Sequence, residues 1–204
     1  MMKLHQMQMS GNCYKARLCA RQLGLPLTLV DVDLMGGETR SEEFRVKNPN
    51  GKVPVLELDD GRFLPESNAI LYFLAENSKL LPRDRFDRAE CLAWMFFEQY
   101  SHEPNIATAR FWLSMAPKDQ LEKRRDKIPE WHKQGNAALK VMDQHLMKRD
   151  WFAGGRYSIA DISLFAYTHA APEGGFDLMP YVHVRRWLAR VEAEPGFIPM
   201  SARW

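Results

Sequence analysis

Apolar and polar residues alternate along KLHQMQM, residues 3–9, and again along LTLVDVDL, residues 27–34, which is the period of a half-buried strand. Between them CYKARLCARQLG changes to helical spacing at Tyr14, Leu18 and Leu23, with Gly24 as a C-terminal stop and Pro26 beyond it. A short helix is predicted around SEEFRVKN, opened by Ser41 with glutamates in its first turn. KVPVLEL, the tight turn DDG and RFL then read as a β-hairpin, and SNAILYFLAEN as a helix capped by Ser67. The order is βαβα–ββα. A helical crossover makes the first two strands parallel and the hairpin makes the last two antiparallel, so a mixed sheet with helices on both faces is expected.

From Arg83 onward the strand signals vanish. RFDRAECLAWMFFEQYSHEPNIATARFWL predicts one long helix kinked at Pro104. PKDQLEKRRDKIPEWHKQGNAALKVMDQHLMKR predicts an amphipathic stretch with a break near Pro129, and SIADISLFAYTHAA and VHVRRWLARVEAE predict two shorter helices. The polar, proline-containing segment NSKLLPRDRFD is the natural linker. The expected organisation is therefore α/β plus all-α: a small α/β domain over 1–76, a linker over 77–83 and a helical domain over 84–204, with no internal repeats.

Composition narrows the function classes. The chain has 204 residues, 46% hydrophobic and 26% charged, with a formal net charge of +2. That balance leaves no electrostatic footprint for nucleic acid, and no apolar run approaches the ~20 residues that span a bilayer. The N-terminus MMKLHQMQMS carries one lysine and no long apolar stretch, so it reads as a first strand and not as a secretory signal. The three cysteines, Cys13, Cys19 and Cys91, match no metal spacing, and Cys19 and Cys91 sit inside apolar helical patterns as small buried hydrophobes. A reducing, cytoplasmic protein without disulfides and without a bound metal is the expectation.

Three short stretches carry candidate chemistry. In MSGNCYKAR a strand runs into Ser10, Gly11, Asn12 and Cys13 just as a helix begins. Unpaired N–H groups and the positive dipole end there suit an anion such as a thiolate; the plain alternative is a helix cap. In NPNGKVPVLELDDG, Pro54 stands where a strand should start and cannot donate to a ladder, so Val53-Pro54 is either a cis peptide that turns a backbone toward a ligand or a trans proline on an edge. In LPESNAI, Glu66 and Ser67 open a helix and suit an amine and a carboxylate respectively, or form an ordinary cap beside a solvated glutamate.

The order and spacing of SGNCYKAR, NPNGKVPVL and PESNAILYFLA, followed by an all-helical half, resemble the cytosolic glutathione S-transferases, in the bacterial-type branch with serine or cysteine at this corner. YSIADISLFAY is similar to the folding motif of that family's helical domain, with Ser158 and Asp161 fitting a capping box. The resemblance covers essentially the whole chain. It implies a thioredoxin-like N-terminal domain, a C-terminal helical bundle, a homodimer, and conjugation of glutathione, as co-substrate, to electrophilic small molecules.

It also implies roles. Ser10 sits where serine-type members carry the hydroxyl that donates to the glutathione sulfur, with Asn12 as an auxiliary donor. Cys13 is a third option, since members with a catalytic cysteine at this corner favour thiol transfer; its alternative is an inert thiol facing the sheet. Val53, turned by Pro54, pairs its backbone with the cysteinyl residue, Glu66 and Ser67 hold the γ-glutamyl end, and Lys52 meets the glycyl carboxylate. Arg40 either joins Lys52 or is a solvated charge. The electrophile site is expected between the domains, drawn from Tyr100, His102, Glu103, Arg110, Phe111 and Trp112; His102 has a satisfied helix-surface histidine as its alternative, Phe111 and Trp112 have core packing, and Arg110 a structural ion pair with Glu103. Two other functions stay open: a glutathione-dependent disulfide oxidoreductase or peroxidase, and a non-catalytic glutathione-binding scaffold.

Overall fold

The computed structural model describes residues 1–203. The chain divides into two compact units, one running from Met1 to Leu81 and taking in the stretch from Glu194 onward, the other covering Pro82–Ala193.

In the first unit, strands β1 (Lys3–Gln6), β2 (Thr28–Asp31), β3 (Val55–Glu57) and β4 (Phe63–Pro65) form one sheet in the order β2-β1-β3-β4. β1 and β2 are parallel; β1–β3 and β3–β4 are antiparallel. Leu4 is paired with Leu29 on one side and Leu56 on the other. Successive residues of a strand face opposite sides. Val55 therefore packs with Phe44 of helix α2 (Glu42–Lys47) and with Val32, while Leu56 is buried on the other face. There α3 (Ser67–Ala75) lies against β3 and packs along α1 (Gly11–Leu23). The mixed sheet with helices on both faces is the thioredoxin-like arrangement expected. The hairpin closes through Leu58 and Arg62, with Gly61 at φ 83°. α1 ends where predicted: Gly24, at φ 65°, returns its N–H to the last carbonyls of the helix.

The return of the C-terminal stretch to this unit is not announced in the sequence. Its carbonyls are the acceptors: Tyr14 Oη donates to Ile198 O at 2.6 Å, Arg17 to Met200 O at 2.9 Å, and Gln8 Nε2 to Met200 O and Ala202 O, each at 2.9 Å. Arg17 is wholly buried and also donates to Gln6 Oε1 and Gln8 O.

The second unit contains α4 (Arg85–Phe97), α5 (Glu103–Arg110), α6 (Lys118–Glu122), α7 (Ile128–Leu146), α8 (Ile159–Thr168) and α9 (Val182–Glu192). The single helix expected over 85–113 runs unbroken from Arg85 to Met115, but two π-helical turns, Glu98–His102 and Phe111–Met115, interrupt its α-helical hydrogen bonding. Pro104 sits in the first turn of α5, where its missing N–H costs least, and the wider π turn before it absorbs the lost hydrogen bond. Pro129 likewise opens α7. Every residue of α8 is buried. Its capping box is formed: Ser158 caps the helix and Asp161 accepts from the Ser158 N–H at 2.9 Å. Phe152, Phe165 and Trp187 complete the core around it. Among the described residues no helix is long and apolar enough to cross a membrane.

Candidate active site

β1 ends at Gln6 and α1 begins at Gly11, which leaves Ser10 as the N-cap. Its backbone is extended and its Oγ accepts the Cys13 N–H at 3.3 Å. A hydroxyl that accepts with one lone pair keeps its own proton to donate elsewhere. Ser10 is half-buried, and the first turn of the 13-residue helix carries no acidic side chain to cancel the positive dipole end. The corner thus offers an O–H donor and a favourable potential to an anion.

Cys13 is placed differently. It is wholly buried, its Sγ accepts the Met7 N–H at 3.4 Å, and burial pushes its thiol pKa up against the opposing effect of the Ser10 hydrogen bond. Burial also drives Cys19 up to about 12 and Cys91 up to about 11. All three cysteines are free and buried. The inert alternative for Cys13 is the one this geometry matches, since a reactive thiol needs access and a lowered pKa.

Asn12 faces α3. Its Oδ1 accepts from Lys15 Nζ at 2.8 Å and from Ser67 Oγ at 3.2 Å, so the helix corner and the LPESNAI stretch are joined directly. Ser67 opens α3 and is 4% exposed, while Glu66 is exposed and holds φ 70°, ψ 114°. A glutamate at positive φ is strained, by roughly 1–3 kcal/mol, and such strain concentrates at ligand sites. The conformation sets the Glu66 carboxylate outside the helix while its carbonyl accepts the Ile70 N–H at 2.9 Å.

The Val53-Pro54 bond is cis. The loop before it is held by Asn48, whose Nδ2 donates to Lys52 O at 2.7 Å and whose carbonyl accepts the Gly51 N–H at 2.9 Å. Gly51, at φ 62°, lies so close to Thr39 that an added Cβ would meet its carbonyl at 2.9 Å. This contact brings the turn bearing exposed Arg40 against the loop bearing exposed Lys52.

The six electrophile-site candidates are dispersed within the helical unit. His102 is wholly buried, with Nε2 2.9 Å from Thr168 Oγ1, and Arg110 is buried with Nε 2.7 Å from Glu173 Oε2. Both have the contacts of packing residues. Tyr100 is 88% exposed and borders a cavity of about 400 Å³ with Phe97, Asn105 and Val141. Glu103 is half-buried, and so are Phe111 and Trp112, whose rings meet edge-on at 5.4 Å. Among the described residues no group of three His, Cys, Asp or Glu side chains is gathered as metal ligands would be.

Both units have counterparts among known proteins. Residues 4–82 match the family described as glutathione S-transferase, N-terminal domain, and residues 94–195 match glutathione S-transferase, C-terminal domain. The chain belongs to the glutathione S-transferase family. A solved structure of a possible glutathione S-transferase from Rhodopseudomonas palustris is 48% identical and superimposes with a TM-score of 0.96, covering 99% of this chain and 98% of that one. A glutathione transferase from Burkholderia graminis, solved with two glutathione molecules bound per subunit, is 28% identical with a TM-score of 0.80, covering 96% and 85% of the two chains. The disulfide-bond oxidoreductase YfcG of Escherichia coli is 30% identical over 193 residues, 91% of this chain and 87% of that protein. Membership of the glutathione S-transferase family is thus compatible with more than one reaction.

One residue of the candidate site in this glutathione S-transferase family member escaped the sequence reading. Lys15 is wholly buried against Asn12 and Ser67. The available signal was its spacing, three residues after Asn12 and hence on the same helix face.

Proposed function

We propose that this chain binds glutathione and conjugates its thiolate to hydrophobic electrophiles, with Ser10 as the activating donor. The observation that carries the reading is the contrast at the corner: Ser10 is half-buried with a proton to give, whereas Cys13 is sealed inside with a raised pKa. A free thiol ionises near ~8.5, so at neutral pH only a few per cent is thiolate. One hydrogen bond to the charged sulfur contributes about 1.5–3 kcal/mol, which lowers that pKa by roughly one to two units. The deprotonated sulfur attacks the electrophilic carbon and forms a C–S bond, while the leaving group departs with its electron pair; the thiol proton has already gone to solvent.

The remaining residues hold the tripeptide. Glu66 takes the γ-glutamyl amine and Ser67 its carboxylate, the Val53 backbone pairs with the cysteinyl residue, and Lys52, with Arg40 beside it, meets the glycyl carboxylate. Detoxification in the cytoplasm by a homodimer is the setting that this reading implies.

A thiol–disulfide reaction is the second reading, favoured by the resemblance to the Escherichia coli oxidoreductase. The two are separated by following the thiolate absorbance of bound glutathione against pH in wild type and Ser10→Ala. We expect ionisation well below ~8.5 in wild type and a rise of about one unit or more in the variant. An unchanged ionisation in Ser10→Ala refutes Ser10 as the donor and moves the oxidoreductase reading ahead.

A further inference from the structure

Lys15 is a wholly buried cation that none of the roles above employs. Its Nζ donates to Asn12 Oδ1 at 2.8 Å and to Ser67 Oγ at 3.3 Å, and Ser67 Oγ donates to Asn12 Oδ1 at 3.2 Å. The three groups close a ring that joins the start of α1, at Asn12 and Lys15, to the first residue of α3, 52 positions beyond Lys15.

We propose that Lys15 is the positioning residue of the γ-glutamyl subsite: its ammonium stands behind the Ser67 hydroxyl and biases this pocket toward a ligand carboxylate. The inference rests on the glutathione reading above. An ammonium has donors and no acceptor, so Lys15 occupies a lone pair of Ser67 and orients the hydroxyl proton away from itself. With the site empty that proton rests on Asn12. When a carboxylate reaches the N-terminus of α3, the hydroxyl turns its proton to the ligand, and Asn12 Oδ1 keeps its bond from Lys15. The switch therefore leaves no buried acceptor unsatisfied. The ammonium then lies two hydrogen-bond lengths from the ligand anion, roughly 6 Å, in a poorly solvated place where a charge acts strongly.

The test is calorimetric titration of the full-length protein, wild type and Lys15→Met, with two ligands: glutathione, and γ-aminobutyryl-cysteinylglycine, which lacks only the α-carboxylate of the γ-glutamyl residue. Lys15→Met is expected to weaken glutathione roughly tenfold or more while leaving the analogue within about twofold of its wild-type affinity. Equal losses for both ligands would make Lys15 a structural tether, and no loss for glutathione would remove it from the site; either result overturns the proposal. Should the methionine variant fail to fold, Lys15→Gln, which keeps polar atoms beside Asn12 and Ser67 without the charge, gives the same comparison. Wild-type protein that does not bind glutathione overturns the functional reading itself, and this arm separates that failure from a failure of the role given to Lys15.

Discussion

Replacing Asp161 tests the helical unit at its most connected buried carboxylate. Oδ1 accepts from the Phe152 N–H at 3.2 Å and from Trp187 Nε1 at 2.9 Å; Oδ2 accepts from the Ser158 N–H at 2.9 Å and from Ser158 Oγ at 3.1 Å. All four residues are wholly buried. The serine hydroxyl can rotate to another acceptor, but the two backbone N–H groups and the indole N–H cannot. Asp161→Ala strands those donors at about 1–3 kcal/mol each, so the loss should be at least ~3 kcal/mol, a large share of the ~5–15 kcal/mol that holds a domain together. Burial, outweighing these hydrogen bonds, raises the Asp161 pKa to about 7. An unfolded aspartate ionises near ~3.9, so between these values the folded chain holds a proton that the unfolded chain releases. This group therefore makes stability fall as pH rises from about 4 to about 7, by ~4 kcal/mol over the interval. Asp161→Asn, which cannot ionise, should flatten that component of the slope while keeping one oxygen for Phe152 and Trp187. Urea unfolding followed by tryptophan fluorescence at several pH values measures both effects. A loss below ~1 kcal/mol in Asp161→Ala, or an identical pH slope in Asp161→Asn, refutes the reasoning.

Other consequences follow from single contacts. In α7, a Cβ at Gly135 would lie 2.4 Å from the Phe176 ring and 3.1 Å from Ile106, so Gly135→Ala should destabilise the helical unit by about 1–3 kcal/mol, read as a lowered melting temperature. Tyr14→Phe deletes the hydrogen bond to Ile198 O and should cost ~0.5–1.5 kcal/mol; hydrogen exchange should quicken in the stretch around Ile198–Ala202, and unchanged exchange there would deny the tyrosine its anchoring part. The buried cysteines should react with a thiol reagent such as dithionitrobenzoate only as fast as the protein opens, and Cys13→Ala should leave glutathione conjugation within about twofold of wild type. Rapid labelling of Cys13 in the native state would restore it as a reactive thiol.

What the sequence determined by itself is what local interactions decide. The Ser10 and Ser158 caps, the Gly24 stop and the DDG turn each involve residues within a few positions of one another, and each appears as read, whereas the strand expected over KLHQMQM ends at Gln6 and buries Leu4, His5 and Gln6 together instead of alternating. The order of those elements in turn leaves few topologies, which is why the mixed sheet and the helical half were legible. The candidate site was legible only where a motif names its residue, as at Ser10, Pro54, Glu66 and Ser67.

Tertiary structure decided the rest, because side-chain direction and burial depend on partners far along the chain. Nothing near Lys15 in the sequence marks it as buried; Ser67, 52 residues away, lies against it, and Met200 does the same for Arg17, 183 residues away. Cys13 and Ser10 are three residues apart and both were candidates for the thiol chemistry, yet packing seals the thiol and leaves the hydroxyl half-open. His102 and Arg110 looked like pocket residues and became core ones once Thr168 and Glu173 supplied their hydrogen bonds. A burial that reverses a residue's chemistry is a property of the assembled fold, and no short window of sequence contains it.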